Sequence, residues 1–186
     1  MIYAQVHLTL PAWISSDIDP LARFEDVEAR MRFVAGLARK NVELGTGGPF
    51  GAAIFAGDGR LISVGVNRVM PQNCSLAHAE IMAFMTAQQR LQRFRLNEDG
   101  GRYFLVTSAQ PCCQCYGASF WAGIDEMHIG ARAEDVMELT EFDEGPLPAD
   151  WIGELERRGV AVRRDILRDD CREVLAFYRA SGGANY

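Results

Sequence analysis

The stretch YFLVTSAQPCCQCYGASFWAGIDEMHIGA, residues 103–131, decides how this chain is read. YFLVTS is a short apolar run of strand-forming residues. Pro111 is placed to open a helix over CCQCYGASFWAGI. EMHIGA, residues 126–131, reads as a second strand. A strand-to-helix turn therefore falls at residues 107–112, and three of the chain's five cysteines sit in or just beyond it.

Working outward, Val27, Met31, Val34, Leu37, Ala38 and Val42 recur at helical spacing between Phe24 and Val42, and GTGG stops that helix. PFGAAIFAGDGRLISVGVNRV (49–69) predicts two strands joined by a tight turn around Asp58–Gly59. The loop MPQNCSL (70–76) leads into a helix over AHAEIMAFMTAQQRLQ (77–92). After residue 131 the pattern predicts a short helix over RAEDVMELT (132–140), an irregular EFDEGPLPADW (141–151), a helix over 151–158, a strand in VAVRRDI (160–166), and a last helix from Arg168 to about Ser181. Ile2, Ala4, Val6, Leu8 and Leu10 alternate as in an edge strand or a docked arm.

Strands alternating with helices after a hairpin imply an α/β fold: a three-layer α/β/α sandwich around a mixed sheet of about five strands. One domain is expected over 1–186, with an N-terminal arm at 1–20 and a C-terminal helix and tail at 167–186. Strand-to-helix turns of such sheets gather at one rim, where ligands bind, and the helix entry near Ala77 should lie beside the 107–112 turn.

The composition narrows the function classes. The apolar share is 48% and the charged share 24%, ordinary for a soluble globular chain. No apolar run is long enough to cross a bilayer, and the N-terminus lacks the basic start of a signal peptide. An odd number of cysteines without an export signal points to a reducing, cytoplasmic compartment. The net charge of −6 and a single lysine, Lys40, disfavour DNA or RNA as partner. The basic run RLQRFR (90–95) is read as a solvated last helical turn.

Cysteines this crowded form a disulfide, a redox pair or a metal half-site. Cys112 and Cys115 stand three apart in a first helical turn, where the helix dipole favours thiolate. Cys113 would point elsewhere, as a small buried apolar residue. CxxC alone does not choose between redox and metal chemistry, but LAHAEIMAF (76–84) does. His78 can ligate from a helix entry, while Glu80, two residues on, reaches past the ion to its water as general base. Two thiolates and one imidazole make a tetrahedral zinc site with one open position, the pattern of a catalytic ion. Cys74 could be proposed as a fourth ligand, but a pocket or core position suits it better. A structural zinc site would have no use for Glu80, and a thioredoxin-like centre none for the upstream HAE.

HAE followed by PCxxC is the zinc-deaminase signature. GGPFGAAIF, GVNRV, HAEIMAF, TSAQPCCQCYGASFWAG and EFDEGP together resemble the bacterial guanine deaminases of the cytidine-deaminase superfamily, over most of residues 47–146. The resemblance implies one Zn2+ per chain on His78, Cys112 and Cys115, with Glu80 shuttling protons. It also implies a purine-contacting Asn67, packing aromatics Phe50 and Trp121, and Glu144 as second acid protonating the departing amine. It further implies a nucleobase substrate and a homodimer whose C-terminal segment crosses over, so that Tyr186 closes the neighbour's pocket. Asn67 could equally cap a loop, Phe50 and Trp121 could be core, and Glu144 could sit in a solvated turn. The family commonly has Glu before the Pro-Cys pair, where this chain has Gln110; its spacer Cys113–Gln114 is also unusual. Ammeline, cytosine or cytidine, and tRNA adenosine stay open as substrates of the same chemistry, and a non-catalytic zinc-stabilised binding module is the rival from another class.

Overall fold

The computed structural model describes residues 2–186; Met1, the first residue of the expected arm, lies outside the described residues. Its elements are α1 (Trp13–Asp17), α2 (Val27–Glu43), β1 (Gly51–Ala56), β2 (Leu61–Val66), α3 (Val69–Gln72), α4 (Ala79–Leu91), β3 (Tyr103–Ala109), α5 (Cys113–Ala122), β4 (Glu126–Ala131), α6 (Ala133–Thr140), α7 (Trp151–Glu156), β5 (Ala161–Arg163) and α8 (Arg168–Ala180). The strands form one five-stranded sheet in the order β2-β1-β3-β4-β5. β1 is antiparallel to both β2 and β3, while β3, β4 and β5 run parallel. The mixed sheet follows from the connections. A tight turn can only reverse β1 into β2, whereas the crossover through α5 returns β4 parallel to β3.

Helices cover both faces. Met31, Val34 and Leu37 of α2 pack with Val136 of α6 and Cys171 and Leu175 of α8 on one side. Ala79, Ala83, Phe84 and Ala87 of α4 pack with Ala122 of α5 and Leu155 of α7 on the other. The architecture is the three-layer α/β/α sandwich expected from the sequence. Asp26 starts α2 by accepting the Ala29 N–H at 2.6 Å, which is N-capping.

The first turn of α4 is positioned by the seating of that helix on β2. A Cβ on Gly65 would lie 1.9 Å from Ala79 O and 2.6 Å from Ala83 N, so the helix touches the strand backbone directly. Ser63 Oγ donates to Ala83 O at 2.7 Å and Thr86 Oγ1 to Val64 O at 3.3 Å, pinning the same contact.

Three expectations differ from the structure. Residues 2–10 form no strand, and Ile2, Tyr3 and Val6 are exposed; the arm is tied down at Thr9, whose N–H donates to Gln72 and whose carbonyl accepts from Arg68. The sheet edge it could have joined is already engaged, since Arg90 donates to the Leu61 and Ile62 carbonyls and Arg23 bridges Arg60. Farther along, residues 13–17 form α1 and bury Trp13. RLQRFR ends a helix only in its first two residues: α4 stops at Leu91 with Arg90 in its last turn, Gln92 turns left-handed at φ 53°, and Arg93 pairs with Asp99 at 2.5 Å instead of extending the helix. The expected strand at 160–166 shrinks to Ala161–Arg163, because Asp165 and Leu167 take left-handed conformations no strand can hold.

Candidate active site and metal centre

The site is built where two helices begin. β3 ends at Ala109, the Gln110 N–H donates to Ala131 O at 2.9 Å, and the chain turns through Pro111 into Cys112, the extended N-cap residue of α5. His78 is the N-cap residue of α4, and Glu80 lies in that helix's first turn. The Cys112 sulfur lies 3.5 Å from His78 Nδ1. Ligand atoms of His78, Cys112 and Cys115 all fall within 4.8 Å of one another. Cys115 is fully buried, and Cys112 and Glu80 nearly so. Spacing places these residues as expected: an N-cap side chain and one three residues later face the same orphan N–H groups, and Cys115 N–H bonds back to the Cys112 sulfur.

The donor set fits a soft dication. The Cys115 hydrogen bond, with help from His78, pulls the Cys112 thiol down to about 4 despite its burial. Cys115 is pushed up, because the Cys112 sulfur holds its proton and burial beside Glu80 disfavours a second anion. Burial works against the charged His78 ring, but Cys112, Glu80 and Glu144 more than offset it and raise its pKa. Burial first, and the Cys112 charge second, push Glu80 up. A divalent cation would compensate the negative charge that two sulfurs and a carboxylate bring together here.

A cavity opens over this cluster, lined by Phe50, Asn67, Gln110, Phe142, Glu144 and Tyr186 together with His78, Glu80 and Cys112. Asn67 ends β2, nearly buried, with its Oδ1 accepting the Val69 N–H at 3.2 Å and its backbone carbonyl taken by Asn41 at 3.0 Å. Its amide nitrogen remains to donate into the cavity. The loop carrying Glu144 is fastened to α5, since the Cys113 N–H donates to Glu144 O at 2.9 Å. Burial, together with the nearby Cys112 and Glu80 charges, raises the Glu144 carboxyl to about 8. Such an acid is protonated at neutral pH and can give its proton away.

Of the expected residues, His78, Glu80, Cys112, Cys115, Phe50, Asn67, Glu144 and Tyr186 are brought together, and Trp121 is not. Trp121 is 73% exposed, in a groove with Met85 and Phe94 on the outer side of α4 and α5. The buried stripe of α5 runs Cys115, Ser119, Ala122, and Trp121 stands off that stripe. Tyr186 closes the cavity of its own chain in this single-chain structure, where the resemblance implied the neighbour's. The Tyr178 hydroxyl donates to Ala184 O at 2.6 Å, and the Tyr186 hydroxyl hydrogen-bonds to the Asn67 side chain. Gly48 makes room for it: a Cβ there would lie 2.2 Å from that hydroxyl. Cys113 is exposed rather than buried, its sulfur set against Gly145 beneath the Glu144 loop. Cys74 is half-buried and outside the ligand cluster.

Phe142 is the lining residue the sequence reading missed. Its ring centroid lies 5.6 Å from that of Phe50 and 4.8 Å from that of Tyr186, joining the two walls. An apolar residue between Glu141 and Asp143 in an otherwise polar loop was the available signal.

Comparison with known proteins agrees with this geometry. Residues 25–131 match the model of the cytidine and deoxycytidylate deaminase zinc-binding region. The chain is 36% identical to guanine deaminase of Bacillus subtilis over 117 residues, 63% of this chain and 71% of that protein. It is 30% identical to a tRNA-specific adenosine deaminase of Buchnera aphidicola over 128 residues, 69% of this chain and 78% of that one. Among solved structures, guanine deaminase from Nitrosomonas europaea superposes with a TM-score of 0.91 at 41% identity, over 97% of this chain and 99% of that one. A complex with 2,6-diaminopurine superposes equally well, TM-score 0.91 at 43% identity, over 97% and 95%. The matched region spans strands β1 to β4 and both ligand-bearing helices: the chain belongs to the cytidine and deoxycytidylate deaminase family of zinc-dependent enzymes.

Proposed function

We propose that this chain hydrolyses guanine to xanthine and ammonia. The observation that carries the reading is the buried Glu80 beside the His78–Cys112–Cys115 cluster, under a cavity walled by Asn67 and aromatic rings. The relatives and solved structures named guanine deaminase, and the 2,6-diaminopurine complex, favour a purine. His78, Cys112 and Cys115 would hold the zinc ion, which supplies the Lewis acidity that makes water a nucleophile at neutral pH. Glu80 takes a proton from the attacking water and passes it to the ring nitrogen adjoining C2. Glu144, held protonated by burial, gives its proton to the departing amine, which leaves as ammonia while Glu80 takes the remaining hydroxyl proton and the C2 carbonyl forms. Asn67 reads the purine edge, while Phe50, Phe142 and Tyr186 sandwich the ring and exclude water.

A net charge of −6 and one lysine speak against a tRNA substrate, despite the Buchnera relative. We place the enzyme in the cytoplasm, consistent with five unpaired cysteines and with no helix long and apolar enough to cross a membrane among the described residues. We also propose a homodimer, whose supporting feature is the apolar face of Met85, Phe94 and Trp121; sedimentation of the purified chain tests it. Ammonia release from guanine, ammeline, cytosine, cytidine and adenosine tests the substrate. Release from another member of that panel with none from guanine overturns the assignment. Glu80→Gln should lose about a thousandfold or more in turnover while keeping one zinc per chain.

A further inference from the structure

Asn41 stands in the last turn of α2, wholly buried, and belongs neither to the ligand cluster nor to the cavity wall. Its polar atoms are all engaged. The Nδ2 group donates to Gly48 O at 2.9 Å and to Asn67 O at 3.0 Å, while Oδ1 accepts from the Thr46 hydroxyl at 2.7 Å. Its backbone carbonyl accepts the Thr46 N–H at 2.9 Å. Thr46 Oγ1 in turn accepts from Nε1 of the buried Trp13 at 3.1 Å. These bonds fix the amide one way round. Turned over, it would set its oxygen against two carbonyl oxygens and leave both without a donor.

The two carbonyls it holds belong to the site. Asn67 lines the cavity beside Tyr186, and a Cβ on Gly48 would lie 2.2 Å from the Tyr186 hydroxyl and 3.2 Å from Asn67 Oδ1. A Cβ on Gly47 would stand 1.9 Å from Asn67 O and 2.7 Å from Asn41 Nδ2. The turn at 45–48 and the residue after β2 therefore meet backbone to backbone, with the Asn41 amide as the bridge between them. The other bonds on Asn67 are local to the hairpin: its N–H donates to Phe50 O at 3.0 Å, and its Oδ1 accepts from Val69 N–H at 3.2 Å. Asn41 ties it to α2. That helix is a firm reference, since a Cβ on Gly51 of β1 would lie 2.6 Å from Val34 O and 2.9 Å from Ala38 N.

We propose that Asn41 is a positioning residue for ring recognition, fixing where Asn67 presents its side chain to the cavity. The inference rests on the guanine-deaminase reading above. Asn41 spends its hydrogen bonds on Thr46, Gly48 and Asn67, and none on His78, Glu80, Cys112 or Cys115. Its loss should therefore show in how tightly the ring is held, and not in how fast water attacks it. A hydrogen bond to a ring edge weakens steeply with misalignment, so a small drift of Asn67 is enough.

A double-mutant cycle read by steady-state kinetics tests this. Asn41→Ala should raise KM for guanine about tenfold, change kcat by less than about twofold, and keep one zinc per chain. In an Asn67→Ala background the same substitution should add less than about twofold to KM, because the group it positions is gone. Thr46→Val removes the hydroxyl that fixes the amide and should raise KM about threefold; it takes the place of Asn41→Ala in the cycle if that variant does not fold. An equal rise in KM in both backgrounds, or a loss confined to kcat, overturns the assignment. The crystal structure of either variant reads the geometry without a substrate. An Asn67 carbonyl displaced by about 0.5 Å or more supports the positioning role, and one left in place overturns it. A wild-type protein that releases no ammonia from guanine would sink the functional reading instead, and that map still decides what holds Asn67.

Discussion

Replacing Gly65 with alanine adds one methyl group to a buried strand, yet it should damage the site a helix away. The new Cβ would stand 1.9 Å from Ala79 O, where real contacts are not found under 3.0 Å, and the obstacle is backbone that cannot rotate aside. The start of α4 must therefore retreat by about 1 Å. His78 and Glu80 sit on either side of Ala79, so they move with it. The Ser63 and Thr86 hydrogen bonds to the same helix–strand contact resist the shift. Overpacking of this kind costs about 2 kcal/mol of stability. A displacement of about 1 Å at the general base costs about a hundredfold in turnover.

The assay is paired: urea unfolding for stability, and steady-state rate with bound zinc measured after chelator competition. Gly36→Ala in α2 is the control, since a Cβ there meets nothing within 4 Å. That exposed helical position should gain about 1 kcal/mol and keep its activity. A Gly65→Ala protein with wild-type stability, zinc retention and rate would refute the claim that direct helix–strand contact sets the position of the ligands.

Three other perturbations separate the parts of the molecule. Asp135 is buried and accepts from Arg168 and Arg172, joining α6 to α8, so Asp135→Asn should cost about 2 kcal/mol in urea unfolding. The Arg168 hydrogen bond holds its carboxyl down at about 2. Because the folded value is depressed, the stabilisation is present above the ordinary carboxylate range and lost as pH falls through about 2; the variant's unfolding curve should lack that acid-dependent step. Tyr186→Ala removes a cavity wall without touching the ligands and should raise KM about tenfold with little change in kcat, an outcome steady-state kinetics reads directly. Trp121→Ala, by contrast, should leave both constants at the wild-type level, and a large loss of kcat would show that the cavity extends beyond its present walls.

How much of this was legible depends on how each residue is held. The hairpin, the alternation of strands and helices, and the pairing of HAE with PCxxC all follow from local periodicity and from helix-start geometry, which are written in consecutive residues. The N-terminal arm misled because alternation at Ile2, Ala4, Val6 and Leu8 implies a strand only if an edge is free to receive it. Here Arg90 and Arg23, distant in sequence, engage that edge. Trp121 misled for a related reason: whether a helical aromatic faces in or out depends on the angle of α5 to the sheet, which one motif does not fix. The roles of Phe142 and Tyr186 arise from contacts between coil segments whose partners lie far away in sequence.

The same distinction divides the site by function. His78 and Glu80 begin a helix seated directly on the sheet, where a single methyl group has no room, and Cys112 and Cys115 begin α5 directly after β3. Glu144, Phe142 and Tyr186 come from segments without regular structure, held by a few bonds such as Cys113 N–H to Glu144 O and the Tyr178 hydroxyl to Ala184 O. Rigid placement is what proton transfer and metal binding demand, since both fail over fractions of an ångström. Ring recognition tolerates more, and segments fastened at few points can be rebuilt without moving the sheet. That is the physical reason a single deaminase framework can serve relatives named for guanine, cytosine and tRNA adenosine. It also follows that substitutions in the 141–147 loop or the tail should alter which ring is accepted before they alter whether water attacks it.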